Sequence, residues 1–413
     1  MKTSLSAATS VPALFSATDW EEFCRQPLEE ALQGPCPGLV LAEELSARAG
    51  GDGEAVAQAL YKRYMDLNNL VEIADRFQEW AESRPDGESI LWHAEEGVDY
   101  WFAGDLHASF EVLLRLWVLA REQALRDGRR ACVVLLGDVI DRGIGDFPCL
   151  GMIEDMLMSG GRDGVSLLCL RGNHDEALTQ DRRGNFHSSV IPAETSDALN
   201  SLRANGPAGA AESVGRAAIA LARISPVVLE ISHLGVGPQG ATILLAHAGL
   251  PHVDQQEFAL THAAEFRSLS ASPLFESVPV EERGKWMEDF TWIRLLDDRP
   301  HCKPRRGFHG SRMGTEDVNT YRRLHYQLTG RAITFFIRGH DHERCGYRLY
   351  SYDATLNPSR VIGVQKNCGV LTINTMGQTS DAPVFCAARP AVVRWRRGGK
   401  MYLYRLPLSP VLA

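Results

Sequence analysis

From residue 98 onward, short continuous apolar runs alternate with longer stretches of helical character. The runs occupy 100–103, 132–136, 165–170, 242–246 and 333–337 and are rich in Val, Ile and Leu. Unbroken apolarity of that length suits strands buried on both faces. Residues 111–125, closed by Asp127-Gly128, read as the helix that follows the first strand. Strand, polar turn, helix, strand is the signature of an α/β domain. Later the pattern becomes more β-like: 369–374 reads as a strand, and 392–396 and 401–405 flank Gly398-Gly399 as a hairpin.

The first 96 residues follow a different grammar. Val56, Leu60, Tyr64, Leu67, Leu70, Ile73, Phe77 and Trp80 recur in steps of three and four, which places them on one helical face within 54–83. This predicts a helical N-terminal region over 1–96, docked on the core and a candidate for partner binding, ahead of a larger domain over 97–413. Residues 180–215 are polar and rich in small side chains, and predict a surface insertion with some helix.

Each apolar run ends in a polar cluster. In order these are Gly104-Asp105-Leu106-His107, then Gly137-Asp138-Val139-Ile140-Asp141-Arg142-Gly143, then Arg171-Gly172-Asn173-His174-Asp175, then His247-Ala248-Gly249, and Arg338-Gly339-His340-Asp341-His342. Ligands of parallel α/β sheets bind beyond the carboxyl ends of the strands. Five strands side by side would therefore pool Asp, His and Asn side chains over one edge. A single His or Asp is more often part of a hydrogen-bonded core than a ligand. The G-D-x-x-D-R-G segment is different: at ~6% frequency per position it arises by chance in about one of several thousand chains this long. It also stands one strand after G-D-x-H and one before R-G-N-H-D. Oxygen and imidazole donors without thiolate suit Mn, Fe or Zn at a catalytic centre better than a structural zinc site. His252, His262, His301, His309 and His325 lack a strand-end setting and read as surface or packing residues, while His342 is left unassigned beside His340.

Composition narrows the partners. A net charge of -9 disfavours nonspecific nucleic-acid or acidic-membrane binding. The nine cysteines form no C-x-x-C pair and fit free thiols in a reducing, cytoplasmic compartment. No apolar run is long enough for a spanning helix, and residues 1–17 lack the clean apolar centre of a signal peptide.

The segments GDLH, GDVIDRG, RGNHDE, HAGL and RGHDHERCGY resemble the PPP family of serine/threonine protein phosphatases, within the calcineurin-like metallophosphoesterases. Order and spacing agree from about residue 98 to 374. The resemblance implies an α/β fold with a central β-sandwich flanked by helices, and two divalent metal ions, Mn first and Fe or Zn next. It implies that Asp105 and His107 bind one ion, that Asn173, His247 and His340 bind the other, and that Asp138 bridges them. His174 matches the general acid, Asp141 its orienting carboxylate, and Arg142 a phosphate-binding arginine. Arg306, in Arg306-Gly307 ahead of Gly314-Thr315-Glu316-Asp317-Val318, is the nearest match to a second one. Arg171 and Arg338 match family positions that support the loops. The implied activity is hydrolysis of phosphomonoesters by a metal-bridging hydroxide, on a phosphorylated protein or a small phosphoester. A bis(5'-nucleosyl)-tetraphosphatase is the alternative enzyme, and a noncatalytic binding protein on this fold is the alternative from another class. Where eukaryotic members carry S-A-P-N-Y-C, this chain reads Asn374-Thr375-Met376-Gly377, without the tyrosine that leans over their metals.

Overall fold

The computed structural model describes residues 39–41, 53–234, 240–251, 273–276, 278–295, 312–343, 346–353, 367–377, 390–397 and 401–406. Arg306 lies outside these residues, as do His252, His262, His301, His309, Gly398-Gly399 and residues 1–17.

The strands are β1 (Leu39–Leu41), β2 (Ser89–His93), β3 (Val98–Ala103), β4 (Arg130–Leu135), β5 (Val165–Cys169), β6 (Leu178–Gln180), β7 (Phe186–Ser188) and β8 (Val228–Leu234). They continue as β9 (Gly240–Ala246), β10 (Arg294–Leu295), β11 (Arg312–Met313), β12 (Arg331–Arg338), β13 (Tyr347–Asp353), β14 (Asn367–Ile373), β15 (Ala391–Arg396) and β16 (Met401–Arg405). One six-stranded sheet runs β1-β16-β15-β3-β4-β5 and the other β13-β14-β12-β9-β8-β2. β3, β4 and β5 are mutually parallel, as are β9, β12 and β14.

The five apolar runs are all strands, but they are not side by side. Three lie in the first sheet and two in the second, and the sheets pack face to face. Between them lies one apolar layer, with Tyr100, Phe102 and Val134 on one side and Ile231, Leu245 and Ile337 on the other. Continuous apolarity is required because the outer faces are covered as well. Helix Phe110–Asp127 packs over the first sheet through Leu113, Leu116 and Trp117. Helices Val280–Trp292 and Thr315–Thr329 cover the second through Phe290 and Tyr321. Gly128 ends helix Phe110–Asp127 in the left-handed region at φ 61°, a conformation glycine adopts without steric cost.

The periodic segment at 54–83 forms two helices, Gly53–Tyr64 and Leu67–Glu82, rather than one. Asp66 starts the second: its side chain accepts from the amides of Asn68 and Asn69. Their apolar face, with Leu60, Tyr64, Leu70, Ile73 and Phe77, merges into the same core as helix Phe110–Asp127. β2 pairs with β8 at the edge of the second sheet.

Residues 180–209 lie mostly at the surface and include helix Glu194–Asn205. Beyond them helix Ala210–Ile224 turns inward, and Ala211, Val214, Ala217, Ala218 and Leu221 are buried in the core shared with helix Leu67–Glu82. Small side chains there serve close helix packing. Among the described residues no helix is long and apolar enough to cross a membrane.

Candidate metal centre

The carboxyl ends of β3, β4, β5, β9 and β12 meet at one edge of the sandwich. Asp105, His107, Asp138, Asn173, His174, His247 and His340 are all buried there. The turns are tight enough to demand glycine. A Cβ on Gly172 would stand 2.2 Å from Asp138 Oδ1, and one on Gly339 would stand 2.2 Å from Asp105 Oδ1. His107 (φ 43°), Asp138 (49°), Asp141 (66°), Arg142 (65°) and His340 (67°) all adopt left-handed backbone. Each such residue costs about 1–3 kcal/mol and persists only when its surroundings hold it. Asp175 is one such restraint: its carboxylate accepts from the amides of Asp138, Val139 and Gly172, each at 2.9 Å.

Four donor atoms converge on one point. Asn173 Oδ1 lies 3.0 Å from His247 Nε2 and 3.0 Å from His340 Nδ1, and His247 Nε2 lies 3.4 Å from Asp138 Oδ2. His247 Nδ1 donates to the Leu136 carbonyl at 2.9 Å, which directs the Nε2 lone pair inward. With no ion bound, a proton on His247, favoured by the neighbouring carboxylates, supplies the positive charge between these atoms. The group offers a cation a mixed O/N donor set without thiolate.

A second group adjoins it. His107 Nδ1 donates to the Ile140 carbonyl at 2.9 Å, which again leaves Nε2 facing the centre, 3.6 Å from Asp138 Oδ2 and 3.9 Å from Asp105 Oδ2. Asp105 Oδ2 is buried and accepts no hydrogen bond among the described residues. His342 Nδ1 lies 3.6 Å from it, so Asp105, His107 and His342 form one potential cation-binding group, and Asp138, His247 and His340 another. Arg142 Nη1 contacts His107 Nε2 at 2.9 Å and also His342 Nε2.

Beside these potential cation-binding groups stands a dyad. His174 Nδ1 is 2.8 Å from Asp141 Oδ2, and the His174 amide donates to Asp138 Oδ1 at 2.9 Å. The His174 ring meets the His107 ring edge-on with centroids 4.9 Å apart.

Burial sets the protonation pattern. It lowers His107 and His340 well below the usual imidazole range and pushes His342 down to about 3, with the Arg142 charge adding to the effect at His342. Neutral imidazole is the ligating form. Burial opposes ionisation of Asp138 too, but the imidazoles of His247, His174 and His107 hold its pKa well below the ordinary carboxylate range. His247 is raised to about 9, because the carboxylates of Asp138 and Asp105 outweigh burial. With no cation bound, the His247 imidazolium and the adjacent Arg142 guanidinium face the Asp138 carboxylate.

The sequence pattern missed two residues. His342 stands two residues beyond His340 at the same strand end. Arg294, the first residue of β10 just after helix Val280–Trp292, has no periodic or motif signal. It contacts Asp341 at 3.2 Å, and its charge lowers the pKa of Arg142, His340 and His342. Arg171 and Arg338 brace loops as expected: Arg171 Nη2 donates to the carbonyls of Gly87, Arg223 and Ser225, and Arg338 to those of Ala248 and Ile293. Asn374 bridges to Asp105, and Thr375 Oγ1 accepts from the Gly104 amide at 2.8 Å, so the tyrosine-free segment supports the first ligand turn.

A two-sheet sandwich with clustered Asp, His and Asn at its edge defines a metallophosphoesterase-type protein. Residues 99–344, more than half of the chain, match the calcineurin-like phosphoesterase model, and the chain belongs to that family. Serine/threonine-protein phosphatase 1 of Salmonella typhimurium is 26% identical over 151 residues, which is 37% of this chain and 59% of that protein. A protein serine/threonine phosphatase from Saccharomyces cerevisiae, with similarity to human phosphatase PP5, superposes with a TM-score of 0.50. That match covers 85% of this chain and 93% of the other at 11% identity, a likeness of fold. A cold-active protein-tyrosine phosphatase from a psychrophilic Shewanella gives a TM-score of 0.40 at 15% identity, over 78% of this chain and 83% of that one.

Proposed function

We propose that this protein is a two-metal phosphomonoesterase acting on phosphoserine and phosphothreonine in proteins. The observation that carries the reading is the convergence of Asn173 Oδ1, His247 Nε2, His340 Nδ1 and Asp138 Oδ2, with the His174–Asp141 dyad alongside. Asp105, His107, Asp138 and His342 would hold one divalent cation, and Asp138, Asn173, His247 and His340 the other. The donor set suits Mn first, with Fe and Zn as the other fits. When bound, the cations supply Lewis-acid activation of water and neutralise phosphate charge.

The chain's own residues do the rest. Arg142 presents a planar fork to two phosphate oxygens and orients phosphorus. Arg294 adds a second positive charge at the rim. Serine and threonine alkoxides are poor leaving groups, so His174 protonates the departing oxygen. Asp141 holds Nδ1 of that ring and leaves Nε2 as the nitrogen that gives up the proton. We place the protein in a reducing, cytoplasmic setting on its cysteine pattern alone, nine residues with no C-x-x-C pair.

The test is metal analysis coupled to turnover of phosphoserine, phosphothreonine and phosphotyrosine peptides and of a dinucleoside tetraphosphate. Two equivalents of metal with preferential hydrolysis of the phosphoserine and phosphothreonine peptides is the expected result. Preferential cleavage of the tetraphosphate would assign the chain to small-molecule hydrolysis instead. Full turnover in metal-stripped protein would defeat the two-metal reading.

A further inference from the structure

Helix Glu194–Asn205 lies in the segment between the third and fourth motifs, and its first turn is applied directly to the Asp141–Arg142 turn. Thr195 is fully buried there. Its amide donates to Asp141 Oδ1 at 2.9 Å, while the other oxygen of that carboxylate takes His174 Nδ1 at 2.8 Å. The Thr195 hydroxyl accepts from the Asp141 amide at 3.0 Å and donates to Asp146 Oδ1 at 2.6 Å. Asp146 Oδ1 also accepts from the Asp141 amide, at 2.8 Å. Next door, Glu194 Oε2 accepts from the Arg142 amide at 3.1 Å.

Asp141 and Arg142 both sit in left-handed backbone, which these side chains do not prefer. The turn holds that shape because Thr195, Glu194 and Asp146 satisfy its amides and fix one edge of the Asp141 carboxylate. We propose that Thr195 is a positioning residue for proton transfer: through Asp141 it sets the orientation of the His174 ring. The inference rests on the roles given above to Asp141 and His174. Strained turns at reaction centres need this kind of over-determination, and a misplacement of about 1 Å can cost a hundredfold in rate.

The experiment compares Thr195→Val, which keeps the volume and removes the hydroxyl, with Thr195→Ser, which restores it. Each is assayed on a phosphoserine peptide and on p-nitrophenyl phosphate, whose leaving group needs no proton, with metal content and melting temperature measured alongside. Thr195→Val should lower kcat on the peptide about tenfold, a part of the ~10²–10⁴ that a general acid contributes, with little change on the aryl ester. Thr195→Ser should recover most of the loss, and both variants should hold the full metal complement. Equal losses on the two substrates, or none, would overturn the positioning role. His174→Asn is run in parallel. If it shows no leaving-group dependence, the acid assignment itself fails; if it does and Thr195→Val does not, only the present inference fails. Should Thr195→Val not fold, Thr195→Ser against Thr195→Ala gives the same contrast.

Discussion

Asp138 concentrates the chemistry of the centre in one side chain. It is fully buried, yet imidazoles on three sides keep it ionised, and its two oxygens divide the work. Oδ1 accepts from the His174 amide, and Oδ2 lies between His247 Nε2 at 3.4 Å and His107 Nε2 at 3.6 Å. A side chain so placed serves both donor groups at once. Asp138→Asn keeps the shape and the Oδ1 acceptor but removes the shared charge. Metal content is expected to fall below one equivalent, and kcat on a phosphoserine peptide by at least about a thousandfold, in line with removal of charge stabilisation at a reaction centre. Retention of both metals by this variant would dismiss Asp138 as the shared ligand. His342→Ala touches only the first group. It should lower metal affinity about 10–100-fold, as loss of a ligand or its partner does, while Asn173, His247 and His340 keep the second ion. Equilibrium dialysis separates the two cases by stoichiometry.

At the scale of elements, the strands that carry the candidate ligands were legible because burial on both faces leaves a contiguous apolar run, and because each run ends in a dense polar motif. Their distribution between two sheets was not legible. β15, almost three hundred residues away from β3 in sequence, pairs antiparallel with it, and no local pattern encodes such a partner. The break at Asp66 was not legible, because the apolar period runs through it without interruption. Arg294 carries no signal at all, since it reaches the centre by fold alone. Helix Asp146–Met158 shows another thing periodicity hides, a carboxyl inside an apolar layer. Glu154 is 1% exposed, its Oε1 meets no hydrogen-bond partner among the described residues, and burial pushes its pKa up to about 8. It is neutral in the folded protein at pH 7 but ionises in the unfolded chain above about 4.5. Its contribution to stability is therefore fully present below pH ~4.5 and is lost as pH rises towards about 8. Glu154→Met should abolish that slope and stabilise the protein at pH 8, relative to pH 5, by on the order of a few kcal/mol. Denaturant unfolding at the two pH values measures it, and parallel pH profiles for the variant and its parent would rule the account out.

On the scale of the whole molecule, the question is whether the segment before residue 97 is an accessory or a part of the core. Its helices do not sit on a surface of their own. Tyr64 and Phe77 are fully buried, the Tyr64 hydroxyl donates to Asp155 Oδ2 at 2.8 Å, and Gly151 packs so closely that an added Cβ would stand 2.3 Å from Leu70. Gln78 donates to the Ser213 carbonyl at 2.8 Å, which ties helix Leu67–Glu82 to helix Ala210–Ile224. That second helix follows helix Glu194–Asn205, whose first turn sets Thr195 against Asp141. A continuous chain of packed elements thus links the N-terminal helices to the reaction centre, and β2 closes the edge of the second sheet. Fully burying each large apolar side chain contributes ~1.5–3 kcal/mol, so removing two helices strips more than the net stability of a typical domain. Deletion of residues 1–88 is therefore expected to give protein that is insoluble, or that melts without a cooperative transition and does not turn over p-nitrophenyl phosphate. Phe77→Ala grades the same effect, with an expected loss of ~3–5 kcal/mol by denaturant unfolding. A soluble deletion variant that melts cooperatively and keeps its phosphatase rate would show that the helices are an accessory, and would return the partner-binding reading of the N-terminal region to first place.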